Sequence, residues 1–470
     1  YSLAGFAIGF GFRPLGAVLF GYLGDRLGRK YTFLATIVLM GGATAGVGLT
    51  PSAASIGVAA PIILILLRIA QGLALGGEYG GAAIYVAEHA PLHKRGFYTS
   101  FIQAGVIGGF ILSLIVVVGT QWIVGKPVWD EWGWRLPFIF SLALLAISLW
   151  MRLMLRESPV FAAMKAAGEQ SRNPLKEAFT YPGNKRRMLV AMIGIAAGFT
   201  VIAYTVMFQA LYFLQSGLHV SPGMAQLLVG GSAFAGMAAF IFFGRLSDRI
   251  GRKKPIVIGY ALVLLLLMPL YHFMGSTANP ALYQAAKRAP VVVSGPNCTF
   301  DPFAKVQPTA CGKLLDHFSK RGIPYAKAHA DRPAVAIAGR PVTDLSPAGL
   351  DAALGASGYQ AGAVTPDWPR ATLLFLALLL LWTLSGATYG PVAALLSEYF
   401  PARIRYSSLS IPYHIGTGYF GGFLPLVSQY IVARTGDPYA GLWYTIGVVA
   451  VALLTCLVAL PETRGARLEA

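Results

Sequence analysis

The chain has 470 residues, of which 56% are hydrophobic and only 12% charged, and its mean hydropathy is +0.62. A soluble domain carries roughly a quarter charged residues, so the polar surface that water requires is missing and a water-soluble protein is excluded. The formal charge of +18 does not point to nucleic acid either, because the basic residues fall in short loops between apolar runs and form no stripe or binding motif.

Stretches apolar enough to cross about 30 Å of hydrocarbon lie near 1–23, 31–50, 58–86, 97–119, 135–155, 188–214, 223–244, 255–274, 371–396, 406–433 and 440–460. The run at Tyr1 has no basic n-region and no small-residue cleavage site, so it is not read as a signal peptide. Arg26, Arg29 and Lys30 occupy the first loop on one side, and Lys94 and Arg95 the next. Arg156, Lys165, Arg172, Lys176, Lys185, Arg186 and Arg187 follow in the long segment 156–187. Arg245 to Lys254, Arg403 and Arg405, and finally Arg464 and Arg467 complete the series. The opposite loops at 51–57 and 215–222 hold no Lys or Arg. The positive-inside bias therefore places the basic loops and the C-terminus in the cytoplasm. Tyr1 is then outside, and an odd span count fits one further N-terminal helix, for twelve in all. Trp122, Trp129, Trp132 and Trp134 read as an interfacial aromatic belt.

The first loop returns later in the chain. Gly21-Tyr-Leu-Gly-Asp25-Arg26-Leu-Gly28-Arg29-Lys30 aligns with Gly244-Arg-Leu-Ser-Asp248-Arg249-Ile-Gly251-Arg252-Lys253 at an offset of 223 residues. Glu88-His-Ala-Pro91 aligns with Glu398-Tyr-Phe-Pro401 at an offset of 310, each followed by arginine. The difference of 87 residues measures an insertion in the second half. It falls in 276–369, a polar, Pro- and Gly-rich segment without a span-length apolar run. The expected organisation is an N-terminal half over 1–155 holding helices 2–6, a central cytoplasmic loop over 156–187, and a C-terminal half over 188–470 holding helices 7–12. The extracytoplasmic insertion then separates helices 9 and 10. Two homologous halves of six spans are a parallel-repeat transporter architecture. Cys298 and Cys311 lie in the insertion and read as a disulfide in an oxidising compartment, two free thiols being the alternative; Cys456 sits in an apolar span as packing.

These residues carry a resemblance. The duplicated G-x-L-x-D-R-x-G-R-K loop is similar to the signature of the major facilitator superfamily. The stretches FRPLGAVLFGYLGDRLGRKYTFL, RIAQGLALGGEYGGAAIYVAEHAP, WGWRLPFIFS with LRESPVF, and RYSSLSIPYHIGTGYFGGFLP resemble its metabolite:proton symporter branch. The resemblance implies an all-α membrane protein of the major facilitator fold, eleven of its twelve helices being in this chain. It further implies proton-coupled transport of a small polar, anionic or zwitterionic metabolite such as shikimate, 2-oxoglutarate, citrate, proline or betaine.

Charge inside a membrane is costly and is usually functional or paired. Among the acids only Glu78 lies well inside a span; Arg13 and Arg68 are the intramembrane basic residues. Counting from Asp25 and Glu88 at 1.5 Å per residue puts Arg13 and Glu78 at similar depth. An Arg13–Glu78 pair is therefore expected, with Glu78 loading and releasing the proton, and a static ion pair as the alternative. Arg68 shares a helical stripe with Gln71 and Glu78 and is a candidate to hold an anionic substrate through bidentate bonds. Tyr204, Phe208, Gln209 and Tyr212 on one span, with Tyr413 and His414 on another, are candidate cavity lining. Gly105, Gly108, Gly109, Gly416, Gly418, Gly421 and Gly422 are expected at close helix contacts. The motif residues Gly21, Asp25, Arg26, Gly28, Arg29, Gly244, Asp248, Arg249, Gly251 and Arg252 are expected to latch the helix ends in one state and release them in the other. Glu88 and Glu398, near Arg95 and Arg403, are the expected partners.

The leading reading is proton symport by alternating access, by a multi-pass monomer of the plasma or inner membrane that meets lipid, substrate and protons. Proton-antiport efflux uses the same fold, and a nutrient sensor without transport is the reading from another class. No HExxH, GxSxG or GxxxxGK[ST] sequence occurs, so neither an intramembrane enzyme nor ATP drive is supported, and no cofactor or metal is expected.

Overall fold

A computed structural model describes residues 9–154, 157–169, 171–296, 298–302, 304, 306–360 and 362–468. The first eight residues of the expected span 1–23, and Arg156 of the central loop, lie outside them. Helices occupy all eleven expected span positions. They are α1 (Arg13–Leu27), α2 (Arg29–Leu49), α3 (Ala59–His89), α4 (Arg95–Val124) and α5 (Leu136–Leu153). After a short loop helix α6 (Pro174–Thr180) come α7 (Asn184–Gly217), α8 (Pro222–Ile250), α9 (Lys253–Ala278) and α10 (Trp368–Tyr399). The last two are α11, built of Arg405–Ile415, a π turn at Gly416–Gly421 and Leu424–Thr435, and α12 (Leu442–Ala459).

Long apolar helices are the structure that hydrocarbon permits, because each satisfies its backbone internally. Their burial differs by position. The apolar window of the span ending in α5 has none of its residues buried in protein, whereas that of α7 has 78%, so α5 faces lipid and α7 is central. α7 is also interrupted by π turns at Ala191–Ala197, Thr205–Gln209 and Phe213–Gly217, a geometry that gathers at functional sites.

Two interfaces join the first five spans to the last six: α1 against α11, and α4 against α8. Both depend on small residues. A Cβ at Gly21 would press on Ser407 and one at Gly24 on the Tyr406 ring, while a Cβ at Gly244 would overlap Ser100 and the carbonyl of Gly96. In a membrane, where apolar surface gains nothing by leaving lipid, such backbone approach is the main source of packing energy. Of the glycines expected at close contacts, Gly416, Gly421 and Gly422 are so placed, but Gly105 and Gly109 have open space around them and Gly108 meets only the end of Met237. Gly105 instead faces a cavity.

Residues between α9 and α10 form a small α/β unit. Its sheet has the order β2-β1-β3-β4, with β1 (Val291–Ser294) parallel to β2 (Tyr325–Ala328) and antiparallel to β3 (Ala334–Ile337), which pairs with β4 (Arg340–Pro341). Helices Pro280–Arg288, Ala310–Lys320 and Pro347–Ala356 accompany it, and Leu315, Phe318, Val293 and Val335 form its core. Cys298 and Cys311 are disulfide-bonded, with Cα atoms 5.1 Å apart. The unit is tied to the α11–α12 loop by Tyr325 N–H on the Gly436 carbonyl at 3.1 Å and Tyr325 Oη on the Ala433 carbonyl at 2.9 Å. A second tie joins it to the α7–α8 loop, through Val364 and His219.

Candidate functional site

At one end of the bundle the two copies of the repeated loop cross-cap each other's half. The Asp25 carboxylate, at the end of α1, accepts the N–H groups of Tyr406 and Ser407 at 3.1 and 2.9 Å. Asp248, at the end of α8, accepts those of Gly96 and Phe97, both at 2.8 Å. Each acid therefore satisfies orphan donors in the first turn of a helix from the other half, where the helix dipole also favours negative charge. The turns that present these acids need Gly28 and Gly251, whose φ of +118° and +104° an L side chain adopts only with strain.

The arginines and glutamates form two matching clusters. Glu88 pairs with Arg29 of its own half and with Arg405 across the interface at 2.7 Å. Glu398 pairs with Arg252 of its own half at 3.0 Å and with Arg95 across the interface at 2.8 Å. All six side chains are at most 5% exposed. Arg403, by contrast, does not reach Glu398: it is directed outward and pairs with Glu177 of α6 at 2.6 Å. Arg26 is also apart from the clusters, bonded to Tyr22.

A third pair of residues completes each cluster. The Ser158 hydroxyl bonds Glu88, and Arg29 donates to that hydroxyl at 3.2 Å. In the second half Thr463 donates to Glu398 at 3.0 Å. Their neighbours Glu157 and Glu462 accept the backbone N–H of Lys30 and of Arg252 and Lys253. Glu157-Ser158 and Glu462-Thr463 are separated by 305 residues, close to the 310 of the Glu-x-x-Pro pair. This third repeat is visible in the chain, and matching the two halves beyond their last spans reveals it. The carbonyls of Ala466 and Leu468 then accept from Arg95 and Arg405, both at 3.1 Å, so the C-terminal segment lies across both clusters.

Above this closed end lies a cavity of about 570 Å³. It is lined from one side by Arg13, Glu78, Tyr79, Gly105 and Arg152, and from the other by Phe199, Tyr204, Trp382, Tyr389, Tyr413, His414 and Thr417. Stacked rings of Tyr79 and Tyr413, with centroids 3.8 Å apart and planes within 7°, join the two sides. Tyr389 Oη meets Tyr413 Oη at 3.0 Å, and Gln103 donates to Tyr79 Oη at 3.1 Å.

Glu78 faces this cavity but does not pair with Arg13. Its partner is Arg152, at 3.1 Å, whose guanidinium also lies 3.5 Å over the Phe33 ring. Arg152 sits three residues from the end of the expected fifth span, where an arginine reads as an interfacial anchor; α3 and α5 both pack on α2, and this brings it to Glu78. Arg13 lines the same cavity, 3.6 Å over the Phe10 ring. Its Nε is buried without a hydrogen bond, as are both ring nitrogens of His414 and the Thr417 hydroxyl. Buried polar atoms of this kind are normally satisfied, so these groups converge on the cavity with hydrogen-bonding capacity to spare.

Arg68 and Gln71 are not part of it. Arg68 is exposed and donates to Gln71 at 3.1 Å, and Gln71 donates to Thr44 at 3.0 Å. Glycine-to-backbone contact between α1 and α3 fixes a rotation that carries this end of the stripe away from the cavity. Gln209 and Tyr212 line a second, smaller cavity of about 100 Å³ between α7, α11 and the α/β unit, and Phe208 packs edge-on against Tyr204. Tyr204, Tyr413 and His414 line the main cavity as expected from sequence.

The family model described as Major Facilitator Superfamily matches residues 1–300. The chain is 30% identical over 464 residues to the inner membrane metabolite transport protein YhjE of Escherichia coli (strain K12), covering 96% of this chain and 83% of that one. It is 36% identical to the proline/betaine transporter of Salmonella typhimurium over 65% of this chain and 62% of that one, and 36% identical to the shikimate transporter of Escherichia coli (strain K12) over 57% and 61%. Among solved structures, the proton:xylose symporter XylE superposes with a TM-score of 0.62 at 18% identity, over 99% of this chain and 88% of that one.

Proposed function

Because this chain belongs to the major facilitator superfamily, and is thus a membrane transporter and not an enzyme, we propose that it is a proton-coupled symporter of a small polar metabolite carrying a carboxylate. The observation that carries the reading is the Glu78–Arg152 pair inside the cavity. Glu78 and its guanidinium partner lie on different helices and both line the cavity, so opening and closing the cavity makes and breaks their contact, and a proton takes the place of the guanidinium on the carboxylate when it breaks. Proton and substrate then share one gate.

Arg13, on the same side as Glu78, and His414 and Thr417, on the opposite side, offer unpaired polar groups to the cavity, and a substrate carboxylate satisfies donors among them. The relatives named for proline and betaine and for shikimate are consistent with such a cargo, zwitterionic or anionic. The Asp25 and Asp248 caps and the Glu88 and Glu398 clusters form the latch at the end we assign to the cytoplasm. They hold that end shut while the other admits substrate, and they part in the opposite state.

The test is uptake by the purified chain in proteoliposomes under an imposed pH gradient, with a panel of labelled organic acids and zwitterions, with and without a protonophore. Glu78→Gln should retain substrate binding and counterflow and lose proton-driven accumulation. Full proton-driven accumulation by that variant would falsify the coupling role. Binding without flux in the wild type would favour a sensor.

A further inference from the structure

The two interfaces between the halves are built alike, yet their flanks are finished differently. At the α1–α11 interface the chain covers the flank itself. Helix α6 packs against both helices, and its Glu177 neutralises Arg403. At the α4–α8 interface no segment among the described residues takes that place, and a groove of about 430 Å³ remains.

The repeat offsets show which residues correspond. Arg403 corresponds to His93 and Ile404 to Lys94, while Tyr22 and Arg26 correspond to Arg245 and Arg249. At these matched positions the uncovered flank is the more basic one, with His93, Lys94, Arg245 and Arg249 around a single opening. Each of these four is exposed, and no acid among the described residues forms an ion pair with any of their side chains; Arg464 donates to the backbone carbonyl of Arg249 at 2.6 Å. The one acid in the groove, Asp248, already accepts from Gly96, Phe97 and Arg252, so it does not neutralise them. Tyr98 of the groove wall, and Phe101 and Phe242 further along the same helices, stand 43%, 48% and 60% exposed. Phe101 meets Phe97 of the groove edge-on at 5.2 Å, so the basic opening continues into an aromatic strip facing hydrocarbon.

We propose that this groove binds the phosphate of an anionic phospholipid, with its acyl chains laid along the aromatic strip. Charge selects the phosphate, since basic pockets between membrane helices hold anionic headgroups. The adjoining apolar strip selects a lipid over a soluble anion. Because the groove is formed by α4 from one half and α8 from the other, an occupant touching both favours the state in which the latch is closed. The lipid thus takes the place that α6 fills on the other flank.

The experiment uses the full chain in nanodiscs of phosphatidylcholine doped with increasing phosphatidylglycerol, read by thermal unfolding and by lipid retention in native mass spectrometry. Phosphatidylglycerol should raise Tm in the wild type. Each cation near the headgroup contributes about fivefold in affinity, so Lys94→Gln with Arg245→Gln should weaken the response roughly 25-fold while leaving Tm in pure phosphatidylcholine unchanged. Arg172→Gln with Lys176→Gln, on the covered flank, should leave the response intact. An unaltered response in the Lys94/Arg245 variant overturns the site. An equal rise with inorganic phosphate alone overturns the lipid assignment. If the double variant does not fold, Lys94→Glu alone carries the same test.

Discussion

Replacing Glu398 by glutamine removes one negative charge from a point on which two arginines of opposite halves depend. Its carboxylate accepts from Arg95 at 2.8 Å, from Arg252 at 3.0 and 3.1 Å, and from Thr463 at 3.0 Å, and its side chain is fully buried. Removing one partner of a buried pair costs about 3–5 kcal/mol. The amide keeps one acceptor, and Arg95 keeps the carbonyls of Ala87 and Ala466, which reduces the cost to about 2–3 kcal/mol. That cost falls on the closed latch alone, because an open end lets water reach both guanidinium groups. The closed-to-open ratio should drop by roughly 30- to 150-fold. Spin labels at Tyr31 and Ile258, exposed sites on either half, read the change directly, since Cys456 is buried and the other cysteines are bonded. The short-distance population should lose weight to a longer one in Glu398→Gln, and Glu88→Gln should do the same. An unchanged distance distribution in both variants would refute the assignment of these clusters as a latch.

Asp25→Asn weakens two backbone contacts and so should open the same end more mildly, by about 1–2 kcal/mol, whereas Asp248→Asn also removes the charge paired with Arg252 at 2.6 Å and should open it further; the same labels measure both. Gly76→Val forces a side chain into the backbone of Arg13 and Ala17; it should separate α1 from α3 and lower Tm in detergent by several degrees. Cys298→Ser with Cys311→Ser opens a short loop with a sequence separation of 13. The α/β unit should lose about 3 kcal/mol and become sensitive to proteolysis, while the bundle's unfolding is unaffected. Burial raises the pKa of Glu462, but the N–H groups of Arg252, Arg464, Lys253 and Thr463 outweigh it and hold it below 4.5. The anchoring of the C-terminal segment is therefore complete above about pH 4.5 and lost as pH falls through the lower folded value. Hydrogen exchange of residues 460–468 should rise only below that range.

How far the fold was legible follows from what each signal measures. Hydropathy counts residues along one chain, and eleven spans could be placed because a membrane demands the same length of every helix. The broken geometry of α11 and the π turns of α7 were not legible, since they arise from packing and leave composition unchanged. The latch residues stood out because both copies keep the same spacing. Their pairing did not, and the assignment of Arg403 beside Glu398 shows why: sequence proximity put it there, while the turn after Pro401 directs Arg403 to α6 and Arg405 to Glu88. Likewise Arg13 and Glu78 have matching depths, but depth fixes only one of three coordinates. The azimuth of each helix is set by where glycines let backbones touch, and that placed Arg152 beside Glu78 and took Arg68 away.

The swap of caps has a consequence for motion. Asp25 holds α11 and Asp248 holds α4, so each half grips the other through the first turn of a helix whose arginine, Arg405 or Arg95, is held in turn by a glutamate of the half that grips it. Neither flank opens without breaking a cap and an ion pair together, which makes release on that flank cooperative. The C-terminal segment spans both flanks by way of the Ala466 and Leu468 carbonyls. Opening one flank therefore pulls on a tether shared with the other, which favours two end states, both flanks closed or both open, over any half-open form. A device of this kind lets a small event in the cavity, such as the protonation we propose at Glu78, decide between two arrangements of the whole bundle.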